Sequence, residues 1–106
     1  MRFPCPYLGS DVELSEEREK HILERHPDLP LNYREYISKT LADPDLVRRS
    51  ARSVNTRLFS HWFGEMMGGK HIVVVVVSEV PACRHWVITG YLMRKLVPGD
   101  VEWKRN

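Results

Sequence analysis

The chain has 106 residues, 42% of them hydrophobic and 28% charged, with a formal net charge of +2. That length supports one domain with one core, and the composition is that of a globular chain rather than a disordered one. No run approaches the roughly 18 apolar residues of a membrane span, and a charge this small does not by itself demand a polyanionic partner.

The start, Met1-Arg2-Phe3-Pro4-Cys5-Pro6, has no apolar segment of the signal-peptide kind, so a cytoplasmic location is expected. Residues 1–10 read as an irregular lead-in with two prolines and a Gly-Ser turn. Asp11 to Leu14 is short and extended, suited to an edge strand. Ser15 is a good N-cap, and Glu16 and Glu17 suit the positive end of a helix running to about His26.

A second helix is expected over about Asn32 to Ala42. Tyr33, Ile37 and Leu41 recur at four-residue spacing and give it one apolar stripe. Asp43-Pro44-Asp45 ends it, and Leu46-Val47-Arg48 suits a short strand.

Beyond Arg57 the period changes from 3.6 to 2. Arg57 to Phe63, His71 to Ser78 and His85 to Leu92 read as strands, with glycines 64, 68 and 69 in one turn and Pro81-Ala82 in the next. Short connections make these neighbours antiparallel. The tail, Pro98 to Trp103, either adds a last strand or lies across the sheet. The expected class is α+β, a single domain over residues 1–106: two N-terminal helices packed on a three- to four-stranded antiparallel meander.

The charges divide unevenly. Residues 1–53 carry ten acids and nine bases, and residues 54–106 carry four acids and seven bases, so the strand-rich half is the basic one. The two cysteines, Cys5 and Cys83, lie far apart in no metal-type pair and fit reduced thiols, with a disulfide between them left open.

The densest chemistry lies in His21-Ile22-Leu23-Glu24-Arg25-His26-Pro27-Asp28. Histidine titrates near neutrality, so two beside a fixed cation are raw material for acid–base work. At about 100° per residue, His21 shares a stripe with Arg25, and Ile22 shares a neighbouring one with His26. If Ile22 faces the core, His26 borders whatever the helix covers. The same residues also suit a plain charged helix end, where His⁺ favours the negative end of the dipole.

Alternation in the strands sorts side chains by face. Trp86, Ile88 and Leu92 are expected to face the helices, and His85, Val87, Thr89 and Tyr91 to face away. Leu58, Ser60 and Trp62 share one face of their strand, and Arg57, Phe59, His61 and Phe63 share the other. The middle strand, Ile72 to Val77, is apolar on both sides and therefore central. The open face is expected to present Thr89 and Tyr91, joined by Arg57 or His61, which suits an anionic phosphate. The outer side of the middle strand, with Phe59 and Phe63 beside it, is either a surface for a second copy of the chain or one covered by the N-terminal segment.

Several of these pieces together resemble a known family. They are His21-Ile22 with Arg25-His26-Pro27-Asp28-Leu29, Tyr36-Ile37 with Thr40-Leu41 and Asp43-Pro44-Asp45, the valine-rich strand, Val87-Ile88-Thr89-Gly90-Tyr91, Lys95 and Trp103. The set resembles the small phage-associated nuclease-like domains of the barnase–EndoU–colicin–RelE-like superfold. Characterised members are mostly metal-independent ribonucleases, often toxins. The resemblance implies a metal-independent RNA endonuclease needing no cofactor, with RNA and a cognate inhibitor protein as partners. His21, Arg25, His26, Thr89 and Tyr91 match the family's motif positions, and Lys95 roughly matches a basic position after the last strand. Gly90 departs from the family's more usual alanine.

Metal-free RNA cleavage needs a base, an acid and cations around the phosphoryl oxygens. On this reading His26 is base or acid, and His21 is the second proton carrier or a substrate ligand. Arg25 holds the phosphate with help from Arg57 or Lys95, Thr89 and Tyr91 position phosphate or ribose, and Trp103 either stacks on a base or packs in the core. The alternatives are a non-catalytic RNA- or protein-binding domain of phage or mobile-element origin, and a metal site. Against the last, histidines 21, 26, 61, 71 and 85 show no H-x-x-x-H spacing.

Overall fold

The structure, a computed structural model, describes residues 1–97 and 99–106. The strands are β1 (Arg2–Cys5), β2 (Ser10–Glu13), β3 (Leu46–Arg49), β4 (Thr56–Phe63), β5 (Lys70–Glu79), β6 (Arg84–Met93) and β7 (Asp100–Lys104). The helices are α1 (Glu16–Arg25) and α2 (Tyr33–Ala42). All strands join one sheet in the order β1-β2-β6-β5-β4-β3-β7. The expected three- to four-stranded antiparallel meander is therefore corrected to a seven-stranded mixed sheet. The meander β4–β5–β6 forms its middle, and β2 runs parallel to β6 where Glu13 pairs with Trp86.

The additional strands come from segments with little periodicity. The lead-in is not irregular: β1 and β2 form an antiparallel hairpin around a 3-10 turn at Pro6–Leu8, closed by Gly9 at φ 67°. Pro4 is tolerated because β1 is the sheet's edge, where a missing N–H costs no ladder bond. At the other edge the tail pairs with β3 as β7. Pro98, which begins the expected tail strand, lies outside the described residues.

The first helix begins and ends as its residues dictate. Ser15 Oγ accepts from the Arg18 N–H at 3.1 Å, and three glutamates occupy the first turn of α1. The last turn closes with the His26 N–H donating to the Ile22 carbonyl, and Pro27 follows. α1 has a single buried residue, Ile22. Its second anchor is Glu19, which accepts from the Tyr33 hydroxyl and from Arg34 Nε and Nη2 of α2 at 2.7 and 2.9 Å. This bidentate charge-assisted pair links the two helices.

The core lies between helices and sheet and includes Val12, Ile22, Ile37, Leu41, Val47, Phe59, Ile72, Val74, Val76 and Val87. Gly90 lies under α2, close enough that an added Cβ would touch Ile37 Cδ1 at 3.8 Å. Phe59 and Phe63 belong to this core, and Phe63 meets Tyr36 edge-on at 4.7 Å. The expectation that they flank an outer surface is therefore overturned.

The expected alternation along β6 is corrected by a bulge. Val75 pairs with Thr89 and Val76 with Val87, so Ile88 has no opposite number. An extra residue reverses the side-chain parity beyond it. Val87 enters the core at 1% exposure, while Trp86 and Ile88 remain half-buried. Leu92 stays on the helix side, packed against the core. Among the described residues no helix is long and apolar enough to cross a membrane.

Candidate functional site

α1 packs mainly on β6, and a cleft of about 470 Å³ opens between them. Its walls are Arg18, His21, Ile22, Arg25 and His26 from the helix and Ile88, Thr89 and Tyr91 from the strand. The five residues singled out for chemistry on α1 and β6, His21, Arg25, His26, Thr89 and Tyr91, thus share one cleft.

Local rules put them there. Ile22 turns inward and carries its stripe-mate His26 to the boundary, half-buried, with the imidazole 5.7 Å from the Tyr91 ring. His21 and Arg25, one turn apart on the outer stripe, are exposed at the rim. The bulge at Ile88 leaves Thr89 and Tyr91 on the face away from the core. Among the described residues, the side chains of His21, Arg25, His26, Thr89 and Tyr91 take part in no hydrogen bond or ion pair. Their donors and acceptors are free for a ligand.

Sequence reasoning missed two wall residues. Arg18 precedes His21 by three positions and Arg25 by seven, and helical spacing alone places it on the same stripe. Ile88 carried no such signal, because its placement depends on the bulge.

The other candidates lie elsewhere. Arg57 is on the helix side of the sheet, where its Nε donates to Glu102 at 2.8 Å. Glu102 also receives the Tyr7 hydroxyl and lies 2.6 Å from Arg49 Nε. Burial raises the Glu102 carboxyl, but Tyr7, Arg57 and Arg49 more than offset this and hold it below the usual range. Burial, then the Glu102 hydrogen bond and charge, push the Tyr7 phenol up to about 12. Arg57 is thus committed to a structural carboxylate.

His61 is likewise engaged. Its Nδ1 lies 2.6 Å from the Asp43 carbonyl oxygen and 3.4 Å from Asp45, and its ring stacks 4.6 Å from Phe63. Burial lowers its pKa although Asp45 opposes the shift. The expected open-face role of Arg57 and His61 is therefore corrected: both share the helix side with Phe59. Trp103 packs near Tyr7, ring centroids 6.0 Å apart. Lys95 is exposed beyond β6 and does not line the cleft.

Ser78 and His85 form a cross-strand pair, Oγ to Nδ1 at 2.7 Å. Burial and then the Arg57 charge lower the His85 pKa. Cys5 is buried, Cys83 is exposed, and both are free. Among the described residues no group of three or more His, Cys, Asp or Glu is arranged to hold a metal ion. In comparison with known proteins, no family model, no curated protein and no solved structure matches the chain.

Proposed function

We propose that the α1–β6 cleft binds an RNA phosphodiester and cleaves it by acid–base catalysis without a metal ion. The observation that carries this reading is the convergence of two imidazoles, a guanidinium and two hydroxyls in one cleft, none of them in a hydrogen bond or ion pair among the described residues.

Two histidines supply both proton transfers. A neutral imidazole takes the 2′-OH proton as the 2′-oxygen attacks phosphorus. An imidazolium protonates the departing 5′-oxygen. His26, half-buried against Tyr91, is one of the pair, and His21 is the other. Arg25, with Arg18 two turns back on the same stripe, offers a fork of N–H donors to the phosphoryl oxygens. Thr89 and Tyr91 hydroxyls orient phosphate or ribose from the strand side.

The test is incubation of the protein with total transfer RNA and a synthetic single-stranded RNA in excess EDTA, beside His26→Ala. Cleavage lost in the variant, with its fold intact, supports the reading. Equal cleavage by both proteins removes His26 from the chemistry. RNA binding without new ends makes the cleft a binding site and not a catalytic one.

A further inference from the structure

A second hollow shares a wall with the α1–β6 cleft. It measures about 490 Å³, and its lining includes Arg48, Arg52, Leu58, Tyr91, Met93 and Asp100. Tyr91 borders both spaces. The strand register shows how they connect. Arg48 pairs with Leu58, Leu58 with Val75 and Val75 with Thr89. Directly paired residues point to the same face, so these four form one row across the sheet. Three strand spacings of about 4.8 Å put Arg48 about 14 Å from Thr89.

Arg48 is the unusual member of this row. It is only 6% exposed. Its Nη1 donates to the Val97 carbonyl at 2.6 Å, and its Nε has no partner among the described residues. The nearby acid Glu102 pairs instead with Arg49 and Arg57. Among the described residues no carboxylate pairs with Arg48, and a buried cation left in that state is costly unless something else pairs with it. The rest of the hollow is largely apolar, floored by Leu58, Met93 and the Tyr91 ring, while the exposed Arg52 adds a second cation at the rim. A ligand that answers both features has an anionic group and a flat, weakly polar body. A nucleotide has both, with the base against the floor and the phosphate at the arginines. Asp100 at the rim can accept from a ribose hydroxyl or a base amino group.

We propose that this hollow is a second nucleotide subsite, so that one RNA strand runs from Arg48 along the row to Thr89 and the His26 cleft. The strand's path rests on the reading of the α1–β6 cleft as an RNA site. Nucleotide binding in the hollow does not require turnover.

The experiment is an NMR titration of the full chain with adenosine 5′-monophosphate, and separately with inorganic phosphate, monitored at backbone amides. The nucleotide is expected to shift residues 48–52, 58 and 91–93 and to bind more tightly than phosphate. Arg52→Gln, at an exposed position, is expected to weaken binding by roughly tenfold, the value of about one charge-assisted hydrogen bond. Arg48→Gln is expected to weaken it at least as much wherever its spectrum remains folded. Shifts absent from the hollow, or confined to the α1–β6 cleft, overturn the subsite even if RNA is cleaved. Shifts in the hollow without any RNA cleavage leave the subsite standing and remove only the catalytic reading.

Discussion

The His26 and Tyr91 rings lie 5.7 Å apart, tilted by 33°. One ends the first helix and the other stands on the sixth strand, so their meeting depends on α1 docking on β6. That contact aligns an imidazole with a phenol at the centre of the cleft and makes the pair separately testable. With RNA as substrate in EDTA, His26→Ala is expected to lose about 10²–10⁴-fold in kcat, the usual worth of a general acid or base. Tyr91→Phe keeps the ring contact and loses only the hydroxyl, so its loss is expected to be smaller, about tenfold. Initial-rate measurements on both variants check this order. An equal, total loss in Tyr91→Phe would make the phenol a proton carrier.

On the proposed reading, Arg57 and Arg25 are expected to respond differently to substitution. Because its Nε is bound to Glu102, Arg57→Gln is expected to cost about 1–3 kcal/mol of stability, through the loosened carboxylate network. KM for RNA is expected to stay unchanged. Arg25→Gln is expected to do the reverse, raising KM with little change in denaturation midpoint. Urea unfolding beside steady-state kinetics distinguishes the two.

Acid is expected to destabilise the fold in a defined window. His61, His71 and His85 all have pKa values lowered chiefly by burial. Below the ordinary value of 6.5, the unfolded chain takes up protons that the folded chain refuses. Stability is therefore complete above that value and falls as pH drops beneath it. Glu19 and Glu102, held below the usual carboxylate range, add a second loss at lower pH. Thermal melts between pH 7.5 and 5 are expected to show a falling Tm. His85→Gln, which removes one of the three groups, is expected to reduce the slope. A flat Tm over that range would contradict the burial of these rings.

Two glycines differ in kind. Gly69 has φ +98°, and an added Cβ would come within 2.3 Å of the Trp62 ring. Gly69→Ala is expected to cost about 2 kcal/mol or more, from the left-handed backbone and the displaced indole. An added Cβ at Gly90 would lie 3.6 Å from the Val73 carbonyl oxygen and 3.8 Å from Ile37. These are ordinary contacts, so Gly90→Ala is expected to be within about 1 kcal/mol of neutral. Chemical denaturation of both variants checks the contrast.

Ile22 is the buried side chain of the helix that carries His21 and ends at the His26 cap. Ile22→Ala is expected to destabilise by about 2–5 kcal/mol. Under conditions where the variant remains folded, it is expected to depress cleavage as well, because His26 loses its fixed distance from Tyr91. Val74→Ala, removing bulk from the central strand, is expected to lower stability while leaving kcat close to the parent's.

Much of the local structure was legible in the sequence because its causes are local. Ser15, Glu16 and Glu17 mark the start of α1, Pro27 marks its end, and helical spacing puts Ile22 inward with His26 at the boundary. Alternation and turn residues mark β4, β5 and β6, and the unbroken apolar run makes β5 central. These features, with the family resemblance, named His21, Arg25, His26, Thr89 and Tyr91 as residues of interest.

What only the tertiary structure decided depends on contacts between distant segments. The pairing of β1 with β2 and of β7 with β3 turns a meander into a seven-stranded sheet, and backbone hydrogen bonding at sheet edges leaves little mark in side-chain pattern. The bulge at Ile88 reverses which β6 residues reach the core, a change of one residue that alternation cannot anticipate. The same edge strand brings Glu102 to Arg57 and Tyr7, tying Arg57 Nε into a carboxylate network on the helix side of the sheet. Residue types set which chemistry was available. Strand register decided which groups were spent on the fold and which were left facing the cleft, because a charge paired inside the protein is no longer free to meet a ligand.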